Sequence, residues 1–320
     1  MRLCEHRDFE QAVLAAAQHF RNRGLRPAII EKDYYVTEAL RAIAMSVGDK
    51  LIFKGGTSLS KGWNLIQRFS EDIDIFLDPL AFNPPLGTNA INRELRRLRE
   101  AIQQIPALTY LQEQSQTFGG RSRSDYFSYQ QRFGGPGEVP GRVLLEAGTA
   151  SGREPTEIRP LTSYLSQFLS ETNTSLQAQD EQPFSLRLLH FRRTFVEKLF
   201  AIHAKVELFK RDARPIGPYA RHYYDIYHLA GHDEVRAMLA SEEYAELKTD
   251  YDQISREHFA RDYQAPDGMR FSLSDALFPA GELAAVISRE FDQQCRTLCY
   301  GPFPSWPQVQ ARIEEIRHLL

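Results

Sequence analysis

Lys54-Gly55-Gly56-Thr57-Ser58-Leu59-Ser60-Lys61-Gly62-Trp63-Asn64-Leu65-Ile66-Gln67-Arg68-Phe69-Ser70-Glu71-Asp72-Ile73-Asp74-Ile75-Phe76 is the stretch on which the reading of the fold turns. The apolar run LIF at 51–53 leads into it, and IDIFL at 73–77 closes it. Both are short, rich in β-branched and aromatic residues, and bounded by polar ones, which is the pattern of buried strands. TSLSKGWNLIQ at 57–67 reads as a short helix between them. The two glycines let the backbone turn tightly and come close to an anion, and a helix starting there offers unpaired N–H groups and the positive end of its dipole. A phosphate therefore suits Gly55, Gly56, Thr57 and Ser58, with the hydroxyls expected to face it. Taken alone, such a turn is more often an ordinary N-cap.

On the returning strand, Asp72 and Asp74 are separated by one apolar residue. Successive strand side chains alternate faces, so the two carboxylates share a face while Ile73 and Ile75 enter the core. Paired carboxylates repel one another unless a cation lies between them. Their hard oxygens suit Mg²⁺ or Mn²⁺, whose other positions go to water and substrate phosphate. Two solvent-facing acids on an amphipathic strand are the alternative for the pair by itself. Beside a phosphate-binding turn, however, the pair sets bound metal next to bound phosphate.

Outward from this centre, residues 1–50 read as two helices, DFEQAVLAAAQHF and, after Pro27, IIEKDYYVTEALRAIAMSV. Residues 88–105 form an amphipathic helix, and DYFSYQQRF (125–133) and GRVLLEAGT (141–149) are strands parted by the turn-rich GGPGEVPG. ETNTSLQAQDEQP at 171–183 is polar and aperiodic, a loop. From about residue 190 the strand signal fades, and 186–210, 217–231, 242–260 and 282–295 read as helices. The expected class is α+β and bilobed, with a mixed-sheet lobe flanked by helices over 1–189 and a helical lobe over 190–320.

Composition narrows the function. With 42% hydrophobic and 25% charged residues the chain can bury a core. No apolar run is long enough to span a membrane, and the charged start MRLCEHRDFEQ is unlike a signal peptide, so a cytoplasmic location is expected. Cys4, Cys295 and Cys299 are too few for a disulfide framework, and Cys295 and Cys299 lack the partners a zinc site needs. A net charge of −3 gives no global attraction to nucleic acid. RNA contact would have to come from local arginines and lysines, among them Arg121, Arg123, Arg132, Arg192 and Arg193.

GGTSLSKGWNLIQRFSEDIDIF resembles the signature of the AbiEii/AbiGii toxin family of DNA polymerase β-type nucleotidyltransferases. Ile30-Glu31-Lys32-Asp33-Tyr34-Tyr35 is similar to the family's N-terminal helix motif. Thr194-Phe195-Val196-Glu197-Lys198-Leu199 with Ala201 and His203 is similar to its lysine helix, and Arg221-His222-Tyr223-Tyr224-Asp225-Ile226-Tyr227-His228-Leu229 to its later aspartate motif. The resemblance covers roughly residues 30 to 230. It implies a bilobed enzyme that moves a nucleoside monophosphate from an NTP to an acceptor, in some members the 3′ end of tRNA. It further implies a toxin held in check by a separate antitoxin, and phage defence. By the same resemblance Gly56 and Ser58 fall on the phosphate turn, Asp72 and Asp74 on the metal carboxylates, and Lys198 and Asp225 on two later active-site positions. Such enzymes commonly take a third carboxylate from a neighbouring strand; no Asp stands there, and Glu146 is the nearest candidate.

The lysine helix also has a reading of its own. Phe195, Leu199, Ile202, Val206 and Phe209 form an apolar stripe with Lys198 and Lys205 on one edge, both placed to face a triphosphate, while Glu197 points away. Lysines that merely cover apolar area are the alternative. His222, Asp225 and His228 spread over about 120° of helix, wide for one metal ion. The rival from another class is a non-catalytic protein that binds a nucleotide or a partner on the same fold; an intact Asp-x-Asp pair speaks against it.

Overall fold

The computed structural model describes residues 1–70, 72–135 and 139–320, so Glu71 and the centre of the GGPGEVPG turn lie outside the described residues. The chain divides into two compact units. The first comprises Met1–Trp63, Phe69–Thr149 and Thr156–Leu189, and the second Asn64–Arg68, Ala150–Pro155 and His190–Leu320.

The first unit is α+β. Its strands are β1 (Leu51–Lys54), β2 (Asp72–Leu77), β3 (Thr109–Tyr110), β4 (Gln116–Phe118), β5 (Ser122–Ser128), β6 (Arg142–Gly148), β7 (Thr156–Leu161) and β8 (Phe184–Leu189). They make one eight-stranded sheet in the order β3-β5-β6-β2-β1-β8-β7, with β4 also paired to β5. The sheet is mixed: β2 runs antiparallel to β1 and parallel to β6, and β1 runs parallel to β8. Its helices are α1 (Phe9–His19), α2 (Pro27–Val47), α3 (Gly55–Thr57, continued as a wider turn over Ser58–Gly62), α4 (Thr88–Gln103) and α5 (Tyr164–Glu171).

Local sequence explains several of these. Helix α2 starts with Pro27 in its first turn and stops at Gly48, whose φ of 70° few side-chain-bearing residues adopt. Helix α4 buries Ile91, Leu95, Leu98 and Ile102 along one stripe and leaves its polar face to solvent. The IEKDYY segment of α2 is buried, and its acids serve the fold. Glu31 accepts the backbone N–H groups of Arg132 and Phe133, and Asp33 pairs with Lys61 at 2.6 Å and accepts the N–H of Tyr164 at 2.8 Å.

The second unit is helical: α6 (Phe191–Asp212), α7 (Arg221–Ala230), α8 (Asp233–Leu239), α9 (Glu242–His258), α10 (Gly281–Leu298) and α11 (Trp306–Glu315). Phe195, Leu199, Tyr223, Ile226, Phe271 and Phe291 are among the side chains that fill its core. Among the described residues no helix is long and apolar enough to cross a membrane.

The structure departs from the sequence reading in four places. Residues 186–189, expected to open a long helix, belong to β8; the helix begins at Phe191, where His190 Nδ1 accepts the N–H of Arg192 at 3.3 Å. The strand expected over 125–133 lies at 122–128. The helix expected over 57–67 ends by Gly62, where a Cβ would lie 2.0 Å from Leu188 Cδ2, and Asn64 then takes a φ of 54°. Finally, β7 and α5 occupy a stretch to which the sequence reading assigned no strand or helix.

Candidate active site

Asp72 and Asp74 lie half-buried on β2, and Ile73 and Ile75 between and beyond them are 0% and 2% exposed. The register sets Asp74 opposite Lys54 of β1 on one side and opposite Glu146 of β6 on the other. Residues directly paired across strands share a face, so Lys54, Asp74 and Glu146 form one row. Neighbouring strands are about 4.8 Å apart, which makes Glu146 the adjacent carboxylate to Asp74.

The glycine turn lies against this pair. Gly55 has a φ of +74°, and a Cβ on it would stand 1.9 Å from Asp74 Oδ2. Only a glycine can both take that backbone angle and leave the Asp74 carboxylate where it is. The hydroxyls face inward, contrary to expectation. Thr57 Oγ1 donates to the Asp72 carbonyl, Ser58 is fully buried and its Oγ donates to the Gly55 carbonyl at 2.9 Å, and Ser60 Oγ donates to the Thr57 carbonyl at 3.2 Å. These bonds pin the turn to the start of β2 and leave first-turn backbone N–H groups as the donors for an anion.

Gly55→Ala is therefore expected to cut activity at this site by more than tenfold, because the methyl group must displace the carboxylate. Gly48→Ala, at φ +70° and ψ −136° with nothing within 4 Å of its Cβ, should cost only the backbone strain, about 1–3 kcal/mol. Activity and thermal midpoint for the two variants side by side separate displacement from strain.

The donors suit a hard cation. Among the described residues no group of three or more His, Cys, Asp and Glu could hold an ion by itself. Mg²⁺ keeps several waters and usually takes one or two carboxylates plus substrate phosphate, and two aspartates beside a glycine turn fit that donor set.

The second unit holds a separate cluster. Arg68 donates to both oxygens of Asp225, at 2.6 Å each, and Lys198 Nζ stands 2.7 Å from Asp225 Oδ2 and 3.2 Å from His222 Nδ1. Arg68, Lys198 and Asp225 are buried. Burial alone would raise the Asp225 carboxyl, but Arg68 and Lys198 hold it well below the usual carboxylate range. Burial lowers the Lys198 ammonium, and burial with the Lys198 charge pushes His222 down to about 3. His222 is thus a neutral acceptor for Lys198. Arg68 had no signal in the sequence: it follows a loop and belongs to no periodic pattern.

The remaining candidates are tied into the fold. Lys205 lies over the Tyr219 ring at 5.1 Å. Arg193 is buried against Asp250, Glu197 and the Glu154 carbonyl, and Arg192 pairs with Glu234 and Glu243. Arg132 lies over the Phe9 ring and reaches the Cys4 carbonyl, and Arg123 is buried against Asp125.

A mixed sheet that presents an Asp-x-Asp pair against a glycine turn is the frame of a nucleotidyltransferase. The family model of the nucleotidyl transferase AbiEii toxin of type IV toxin–antitoxin systems matches residues 38–312, and this chain belongs to that family. No curated protein matches the sequence. Among solved structures the chain is similar to MenT4, a nucleotidyltransferase toxin from Mycobacterium tuberculosis H37Rv, with a TM-score of 0.58 and 17% identity over 93% of this chain and 88% of that one. At that identity the likeness is one of fold. The protein is a nucleotidyltransferase toxin of a type IV toxin–antitoxin system, with an NTP as substrate and an antitoxin as counterpart.

Proposed function

We propose that this toxin is metal-dependent and transfers a nucleoside monophosphate from an NTP to the 3′ end of an RNA, tRNA being the leading acceptor, in the cytoplasm. The observation that carries the proposal is the close approach of Gly55 to the Asp74 carboxylate, which brings the glycine turn against the Asp-x-Asp pair. Bound there, Mg²⁺ or Mn²⁺ supplies Lewis-acid charge to the phosphates and acidifies the acceptor hydroxyl. Asp72 and Asp74 would hold the cation, and Glu146 on the next strand is the candidate third carboxylate. The N–H groups of the Gly55–Thr57 turn take up charge on the β- and γ-phosphates as the bond between the α- and β-phosphates breaks. The acceptor oxygen bonds to the α-phosphorus, its proton passes to solvent water, and pyrophosphate leaves with the former bridging oxygen.

Lys198 and Asp225 have parts in this reading through their resemblance to the family's later active-site positions. Asp225, whose two oxygens are taken by Arg68 and Lys198, acts as a positioning residue. Incubating the protein with each α-labelled NTP and total cellular RNA is the test. Label should enter RNA with one preferred NTP and vanish on chelation of divalent metal. Label in protein would overturn the RNA acceptor, and no label with any NTP would overturn transfer itself.

A further inference from the structure

The row that begins at Lys54 and Asp74 does not stop at Glu146. In β5, Ser124 pairs with Glu146, Tyr126 with Leu144 and Ser122 with Gly148, while in β4 Gln116 pairs with Ser124 and Phe118 with Ser122. These residues share the face of Asp72 and Asp74, because directly paired residues project to the same side. The opposite face is closed: Val143, Leu145 and Phe127 are fully buried, and the Arg123–Asp125 pair is buried beside them. The carboxylate face is open and mostly polar. Glu146, Gln116 and Arg142 are exposed, Ser122, Ser124 and Tyr126 are half-buried, and Phe118 is 51% exposed. The Arg142 guanidinium lies over the Tyr126 ring at 5.2 Å.

We infer that this open face of β6, β5 and β4 is the acceptor subsite, and that it takes the single-stranded 3′ end of an RNA by stacking a base on Tyr126. The inference rests on the transfer reaction proposed above and adds where its acceptor lies. Three features point to single-stranded nucleic acid. Tyr126 is two strands from Asp72, about 10 Å, so a base on its ring keeps the terminal sugar near the carboxylates. An aromatic ring beside an arginine plane on a sheet is a stacking platform, and its flanking hydroxyls can bond base edges and 2′-OH groups. Arg142 and the exposed Arg121 supply positive charge for backbone phosphates at the rim. A protein partner would be better served by a continuous apolar patch, and here the apolar groups are parted by serines and Glu146.

The test measures binding of a fluorescent single-stranded RNA oligonucleotide of about eight residues to the full chain, without NTP, so that it does not depend on turnover. Tyr126→Ala should weaken binding about tenfold, Tyr126→Phe should bind as the parent does, and Arg142→Gln should weaken binding and flatten its salt dependence. NTP affinity, measured separately, should be unchanged in all three. Equal affinity for the oligonucleotide in parent and Tyr126→Ala would overturn the inference, as would no binding by the parent. So would protection of this face by a protein antitoxin with no effect of RNA. A failure of the transfer reaction shows elsewhere, as no label entering RNA from any NTP, so the two readings fall separately.

Discussion

Replacing Asp74 by Asn is expected to abolish nucleotide transfer, a loss of about a thousandfold or more, while leaving the fold intact. A metal ion at the reacting phosphates would supply several kcal/mol of transition-state stabilisation, and a neutral amide would hold it poorly. Asn has nearly the volume of Asp, and Asp74 sits half-buried in a face that must admit solvent and substrate, so little packing changes. Removing one of two adjacent carboxylates also relieves repulsion with Asp72, which should keep the apo thermal midpoint level or raise it. Asp72→Asn should behave alike. The measurement is label transfer at saturating Mg²⁺ together with a melting curve for each variant. Turnover within tenfold of the parent would remove Asp74 from the metal site, whereas a collapsed melting curve would make it a structural residue.

The centre of this site was legible because strand alternation is a local rule. Asp-x-Asp with Ile73 and Ile75 between and beyond could only put both acids on one face, and the register bears that geometry out. The glycine turn was legible for a similar reason, since a close approach needs a residue without Cβ. The side-chain hydroxyls were not. Whether Thr57 and Ser58 face a ligand or the backbone depends on where β2 begins, and the bond from Thr57 to the Asp72 carbonyl spans 15 residues. The place of Glu146 depended on β6 pairing in parallel with β2, a contact over some seventy residues that no period in 141–149 contains.

The same distinction between local and long-range holds for the elements. Helices with a sustained stripe, such as Thr88–Gln103, stood out. Strand β8 did not, because Leu186-Arg187-Leu188-Leu189 runs into Phe191 with no glycine or proline between, and its apolar residues suit either period. It becomes a strand because β1 and β7 flank it. The arginines show the limit of composition most clearly. Arg193 and Arg192 looked available as phosphate ligands, but their partners Asp250, Glu234 and Glu243 lie more than forty residues away.

Removing the Asp225 carboxylate is expected to be the most destabilising single change in the second unit. Asp225→Ala leaves Arg68 and Lys198, both buried, facing each other with no anion between them, and breaking a buried pair in this way costs about 3–5 kcal/mol. The thermal midpoint should fall by roughly 10 °C. If Asp225 positions Lys198 through charge, Arg68→Met in the Asp225→Ala background should recover part of the loss, because it removes one of the two stranded cations. Independent, additive costs would show that the three groups are not coupled. The pH dependence has a definite sign. The Asp225 carboxyl is held well below its ordinary value, so its contribution is present at neutral pH and lost only in strong acid. His222 titrates first: its ordinary value is 6.5 and the fold holds it at about 3, so the neutral ring stabilises the fold fully above pH 6.5 and progressively less as pH falls toward 3. Acid unfolding followed by near-ultraviolet circular dichroism should therefore begin below pH 6.5. His222→Asn, which keeps an acceptor for Lys198 without a titrating ring, should delay that onset to lower pH. An unchanged onset would mean that His222 is protonated in the fold, and that Lys198 points away from it.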